Sequence, residues 1–300
     1  MPQILMKIPC LVNAFQGFIH HAHGRAGDEP TPDSRLLKQS AAIDEAQILK
    51  YIQDTQETTQ AGQQLVKKLN CHYSLLFAQS CFEDLLYQQH ADIVEAVPVK
   101  EQRQGICLGL AMVWLKQRFQ GKSDKQFHQS LFNRDYDASL LQVLSLQYIE
   151  QDRASNGHPG RRFEHSAPLI GMCLIAASKN QTSHAVPTQS FEYLVEKFDT
   201  LISQPPARHQ GLCLASDQHA MALFRDGDES LHFFDPNNGV VSCTLANRRH
   251  LYALIYATLK LMDCYWKGGR INPNRYIFAT EVQTRSQATP VFSRGLLPQV

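Results

Sequence analysis

No stretch of about eighteen consecutive apolar residues, the length a membrane-crossing helix needs, occurs anywhere in the 300 residues. An excess of one charge is lacking too: 29 Lys and Arg against 28 Asp and Glu leave a formal +1, which excludes recognition of nucleic acid or an anionic membrane by bulk basicity. There is no C-x-x-C pair. The eight cysteines stand singly at 10, 71, 81, 107, 173, 213, 243 and 264, without zinc-site spacing. They read as reduced thiols in a reducing place of action, not as a disulfide framework. The opening MPQILMKIPCLVNAF lacks the basic start and unbroken apolar run of a Sec signal, and Pro2 excludes N-myristoylation. What is present is ordinary for a chain that builds a core, with 43% hydrophobic and 19% charged residues.

Composition divides the chain. Residues 1–35 are read as an N-terminal arm ending in a linker, HHAHGRAGDEPTPDSR, at 20–35. His20, His21 and His23 offer metal-ligating nitrogens there. Their rings point different ways and no fourth ligand is near, so they are read as solvated histidines and no metal or cofactor is expected. Residues 36–95 are expected to be a helical subdomain of two helices, 36–59 and 62–90. Ile43, Ile48, Leu49 and Ile52, then Leu65, Leu69, Leu76 and Phe77, recur at threes and fours. Helical patterns also cover CLGLAMVWLKQRF from 107, 138–150, 189–203 and 247–265, whereas LIGMCLIAAS at 169–178 stays unassigned.

After Pro205-Pro206 the runs GLCLAS, HAMALFR, SLHFFDP and VVSCTL alternate, separated by Asp226-Gly227 and Asn237-Asn238-Gly239. That is the signature of an antiparallel meander, closed by a last strand at 275–282. Helices first and strands later imply an α+β fold over 96–285, with 286–300 a tail.

Three residues carry candidate chemistry. Cys107 follows Gly105 and Ile106 where a loop becomes a helix, and a helix N-terminus favours a thiolate. His219 heads HAMALFR, and an imidazole is the natural acceptor for a thiol proton. Asp235 closes SLHFFDP. A hairpin of 219–224 and 231–235 sets the start of one strand beside the end of the next, where a carboxylate can fix the imidazole's tautomer. Asp235 also suits an Asx turn opening D-P-N-N-G. Taken singly, a buried core cysteine, a strand-edge histidine and a turn aspartate are the commoner roles. His165 and His209 are read as structural; His232, on the face opposite Phe233, is read as a solvent or interface residue rather than a catalytic one.

The set GICLGLAMVWL, QHAMAL and FFDPNNG resembles the motifs of the YopT-type effector cysteine proteases of bacteria, over about 100–282. That resemblance implies a papain-like fold, helices packed on a central antiparallel sheet, with Cys107, His219 and Asp235 as the triad. It also implies Gln102, five residues before the cysteine, as an oxyanion donor. Further implications are secretion without a Sec signal and action on host signalling proteins of the small GTPase or kinase class in the host cytoplasm. Some members cleave themselves, and 20–35 is where such a cut would fall. A glutamine deamidase or transglutaminase using the same triad, and an inert partner-binding module, stand as alternatives.

Overall fold

The computed structural model describes residues 45–89, 105–132, 139–140, 142–144, 146–147, 163, 167–175, 183–202, 209–216, 219–227, 229–266 and 276–284. The 20–35 linker, His165 and Gln102 fall outside these. Helices α1 (Glu45–Thr58) and α2 (Gln60–Lys68) lead into strand β1 (His72–Leu76) and then helix α3 (Gln79–Gln89). The single helix expected over 62–90 is therefore two helices with a strand between them. Asn70 takes a left-handed φ of 53° just after α2, a conformation asparagine tolerates. HYSLL then pairs antiparallel with a distant strand, His72 opposite Ser242 and Leu76 opposite Gly239. Sheet pairing overrides a local spacing that suits a helix.

Helices α4 (Cys107–Phe119) and α5 (Asp124–Phe132) follow, then helical positions within 139–147. The unassigned apolar stretch resolves into a 3-10 turn (Ala167–Ile170) and strand β2 (Met172–Ile175). Strand β3 (His184–Pro187) and helix α6 (Phe191–Ile202) precede the meander, β4 (His209–Ala215), β5 (Ala220–Asp226), β6 (Ser230–Asp235) and β7 (Gly239–Thr244). Helix α7 (Arg248–Trp266) and strand β8 (Tyr276–Thr284) come last. Every strand pairing is antiparallel, in the order β1-β7-β6-β5-β4-β8-β2, with β3 also on β8.

The sheet is buried on both faces. Alternate residues of β5 and β6 divide between two cores: Ala222, Phe224 and Phe234 face α4, whereas Met221, Leu223 and Phe233 face α6 and α7. That is the period of two that a pleated strand imposes. Helix α4 is apolar all round from Cys107 to Leu115, as an enclosed segment must be, and polar only in its last turn at Lys116, Gln117 and Arg118. Trp114 at its middle is fully buried among Phe224 and Phe234, and its indole N–H donates to Asp124 Oδ1 at 2.9 Å. The turn into β7 needs glycine, since Gly239 has φ +102° and a Cβ there would stand 2.1 Å from the Leu75 carbonyl oxygen. Among the described residues no helix is long and apolar enough to cross a membrane.

Candidate active site

Cys107 is the first residue of α4, and no side chain at the N-cap position satisfies that helix start. Other parts of the chain do so. Gln147 Oε1 accepts the Leu108 and Gly109 N–H groups at 3.0 and 3.2 Å. Glu83 Oε1 accepts the Ile106 N–H at 3.0 Å, and Leu110 N–H donates to the Ile106 carbonyl. Four amides of the first turn thus have acceptors, two of them fixed by one buried glutamine. Gly109 allows this close approach, because a Cβ there would fall 2.0 Å from the Val143 carbonyl oxygen.

His219 sits one residue before β5 and Asp235 is the last residue of β6. The register Ala222↔Phe234 brings these two ends together. His219 Nε2 donates to Asp235 Oδ1 at 2.8 Å, and the ring is also in hydrogen-bond contact with the Cys107 side chain. With Nε2 given to the carboxylate, Nδ1 is the nitrogen left for the sulfur. Ser216 Oγ accepts the His219 N–H at 3.0 Å, and the Ser216 N–H donates to the His219 carbonyl at 2.8 Å, fixing the backbone.

Asp235 acts in two structures at once. Oδ1 accepts the Asn237 N–H at 3.0 Å and Oδ2 accepts the Asn238 side-chain amide at 2.6 Å, so the Asx turn and the imidazole contact share one carboxylate. The pair is buried, His219 7% exposed and Asp235 1%. Burial alone pushes the imidazole's pKa down. The hydrogen bonds and charges of Asp235 and Cys107 outweigh it and raise the ring from 6.5 to about 10. Burial likewise disfavours the Asp235 carboxylate, but His219, Asn237 and Asn238 hold its pKa below the ordinary 3.8. The stable form of the pair is carboxylate and imidazolium.

Cys107, His219 and Asp235 are thus brought together from three elements. His209 lies elsewhere, its Nδ1 3.0 Å from Asp226 and its ring stacked on Phe224. His232 lies opposite Phe233 as expected, but it is only partly exposed and packs on the α4 side, bonded to Ser242, Ser230 and Arg118, instead of standing in solvent. Sequence reasoning missed Glu83 and Gln147, which reach the helix head from distant segments and carry no local motif. Asn238 was legible only as a turn residue.

A thiol at a helix head, facing an imidazole and a carboxylate at the end of an antiparallel sheet, is a layout thiol peptidases use. The chain belongs to the peptidase family described as Yersinia/Haemophilus virulence surface antigen, whose pattern matches residues 63–272. The match reaches back to α2 and β1, well before the motif-bearing segment. Among solved structures, the Pseudomonas avirulence protein AvrPphB is similar at 15% identity, over 60% of this chain and 92% of that one, with a TM-score of 0.42. PatoxP, a cysteine protease-like domain of the Photorhabdus asymbiotica toxin PaTox, is similar at 15% identity over 76% of this chain and 60% of that one, with a TM-score of 0.36. No curated protein sequence matches. By family the chain is a cysteine protease-like bacterial effector.

Proposed function

We propose that the protein is a cysteine endopeptidase that cleaves a protein of the host cell after delivery from a bacterium. The observation that carries this reading is the His219 ring, bonded through Nε2 to Asp235 at 2.8 Å and in contact with Cys107 on its other side. Sγ of Cys107 attacks a peptide carbonyl, giving a tetrahedral intermediate whose oxyanion is met by the Cys107 N–H. Gln102 is the side-chain donor proposed beside it, by family resemblance. The His219 imidazolium then gives its proton to the leaving amine and the C–N bond breaks. In the second half His219 takes a proton from water, the hydroxide attacks the thioester, and the free acid and the thiol are released.

The test uses the full chain with candidate host proteins, small GTPases and kinases among them, read by intact mass. Fragments whose masses sum to the substrate plus one water, absent with Cys107→Ala, support the reading. A gain of about one dalton with the chain uncut would replace it by deamidation, the alternative the same triad allows.

A further inference from the structure

One turn of α3 touches both halves of the site. The backbone N–H of Gln79, at the start of that helix, donates to the carbonyl of Pro236 at 2.7 Å. Pro236 directly follows Asp235. Four residues on, Glu83 Oε1 accepts the N–H of Ile106 at 3.0 Å, and Ile106 directly precedes Cys107. Residues four apart share a helix face, and the Gln79 side chain is hydrogen-bonded to the Glu83 carboxylate. The Gln79 amide also lies directly against Gly105 of the nucleophile's loop, for a Cβ there would fall 1.6 Å from its Nε2.

We propose that Glu83, braced by Gln79, is a positioning residue that sets where Cys107 stands relative to the His219–Asp235 pair. The inference rests on the reading of Cys107 as nucleophile. Among the described residues the Ile106 N–H has no other acceptor of this kind, and it lies in the peptide immediately before the one that joins Ile106 to Cys107. Gln147 fixes the following two amides from the other side, so the Cys107 peptide is gripped fore and aft. A reacting group must be held to within about half an ångström by the shell behind it, and a single unbranched acceptor of the right length supplies that here. Glu83 is half-buried and forms no ion pair among the described residues. The contacts it makes are with the Ile106 N–H and the Gln79 side chain, so its task is to accept, and reach matters more than charge.

Two mild substitutions separate reach from charge. Glu83→Gln keeps the acceptor at the same distance and loses the charge; Glu83→Asp keeps the charge and withdraws the acceptor by about one bond length. The readout is the rate at which iodoacetamide alkylates Cys107 in the full chain at pH 7, located by peptide mass, with the melting temperature measured alongside. Glu83→Gln is expected within about twofold of the parent, and Glu83→Asp about tenfold slower at a nearly unchanged melting temperature, the scale of loss that small misplacement produces. Glu83→Asp at the parental rate, or Glu83→Gln as slow as Glu83→Asp, overturns the proposal. Should Glu83→Asp not fold, Gln79→Ala takes its place: an alkylation rate about threefold slower supports the brace, and the parental rate overturns it. The protease reading fails separately, if the parent Cys107 reacts no faster than it does in His219→Ala.

Discussion

Asp235 is satisfied by three donors, the His219 ring, the Asn237 amide and the Asn238 side chain, and its replacement by Asn tests what each contributes. Asp235→Asn removes the charge that holds the imidazolium. Turnover is expected to fall about 10³- to 10⁴-fold without vanishing, because the sulfur and its own amide remain, measured as kcat/KM on the first substrate found. The pH dependence of stability follows from the same pair. His219 is raised from 6.5 to about 10, so its contribution is complete below about pH 6.5 and is lost as pH rises through 10. The Asp235 carboxyl is lowered, so its contribution is complete above about 3.8 and is lost as pH falls through its depressed value. The melting-temperature gap between the parent and Asp235→Asn should therefore be widest near pH 5 to 6 and close toward pH 10. Cys107→Ala should abolish cleavage with the fold intact, at a cost in stability of about 1–3 kcal/mol, since a buried sulfur and its hydrogen bond to His219 are lost.

At the scale of elements, the helix that bears Cys107 begins well only because other segments complete it. Gln147→Leu strips the acceptor from two buried N–H groups and is expected to cost about 2–4 kcal/mol in urea unfolding. Gly239→Ala places a side chain at φ +102°, 2.1 Å from the Leu75 carbonyl oxygen. A loss of about 2–4 kcal/mol follows from strain and overpacking together, again read by urea unfolding. Neither Gln147 nor Glu83 was legible in the sequence, because their partners lie tens of residues away and any polar residue in a helix looks alike. Cys107, His219 and Asp235 could be picked out because each opens or closes an element inside a compact motif. The meander was legible for the same reason, its turns being written as Asp226-Gly227 and Asn237-Asn238-Gly239. Strand β1 was not: Leu65, Leu69, Leu76 and Phe77 fit a helical spacing, and the pairing of His72 with Ser242 that overrides it is invisible locally.

The described residues form one sheet with a core on each face, and the two cores share every strand of the meander. Unfolding of either layer exposes the other. Phe198→Ala, in the layer of α6 and α7, should cost about 3–5 kcal/mol. In a Trp266→Phe background the fluorescence transition of Trp114, on the opposite face, should shift by the same amount as the far-UV circular dichroism; separate midpoints would show that the layers melt independently. The segregated α+β architecture was legible from the order of helical and alternating runs, whereas the burial of both sheet faces was not, since alternation does not reveal that the second face is covered as well. The doubled duty of Asp235 reaches beyond this one chain. A descendant that abandoned the chemistry could discard the sulfur or the ring and still fold, but the carboxylate would linger, because a hairpin hangs from it. On the proposed triad, retention of an aspartate at this position across relatives is thus no sign of activity, and Cys107 and His219 are the positions whose erosion would record its loss.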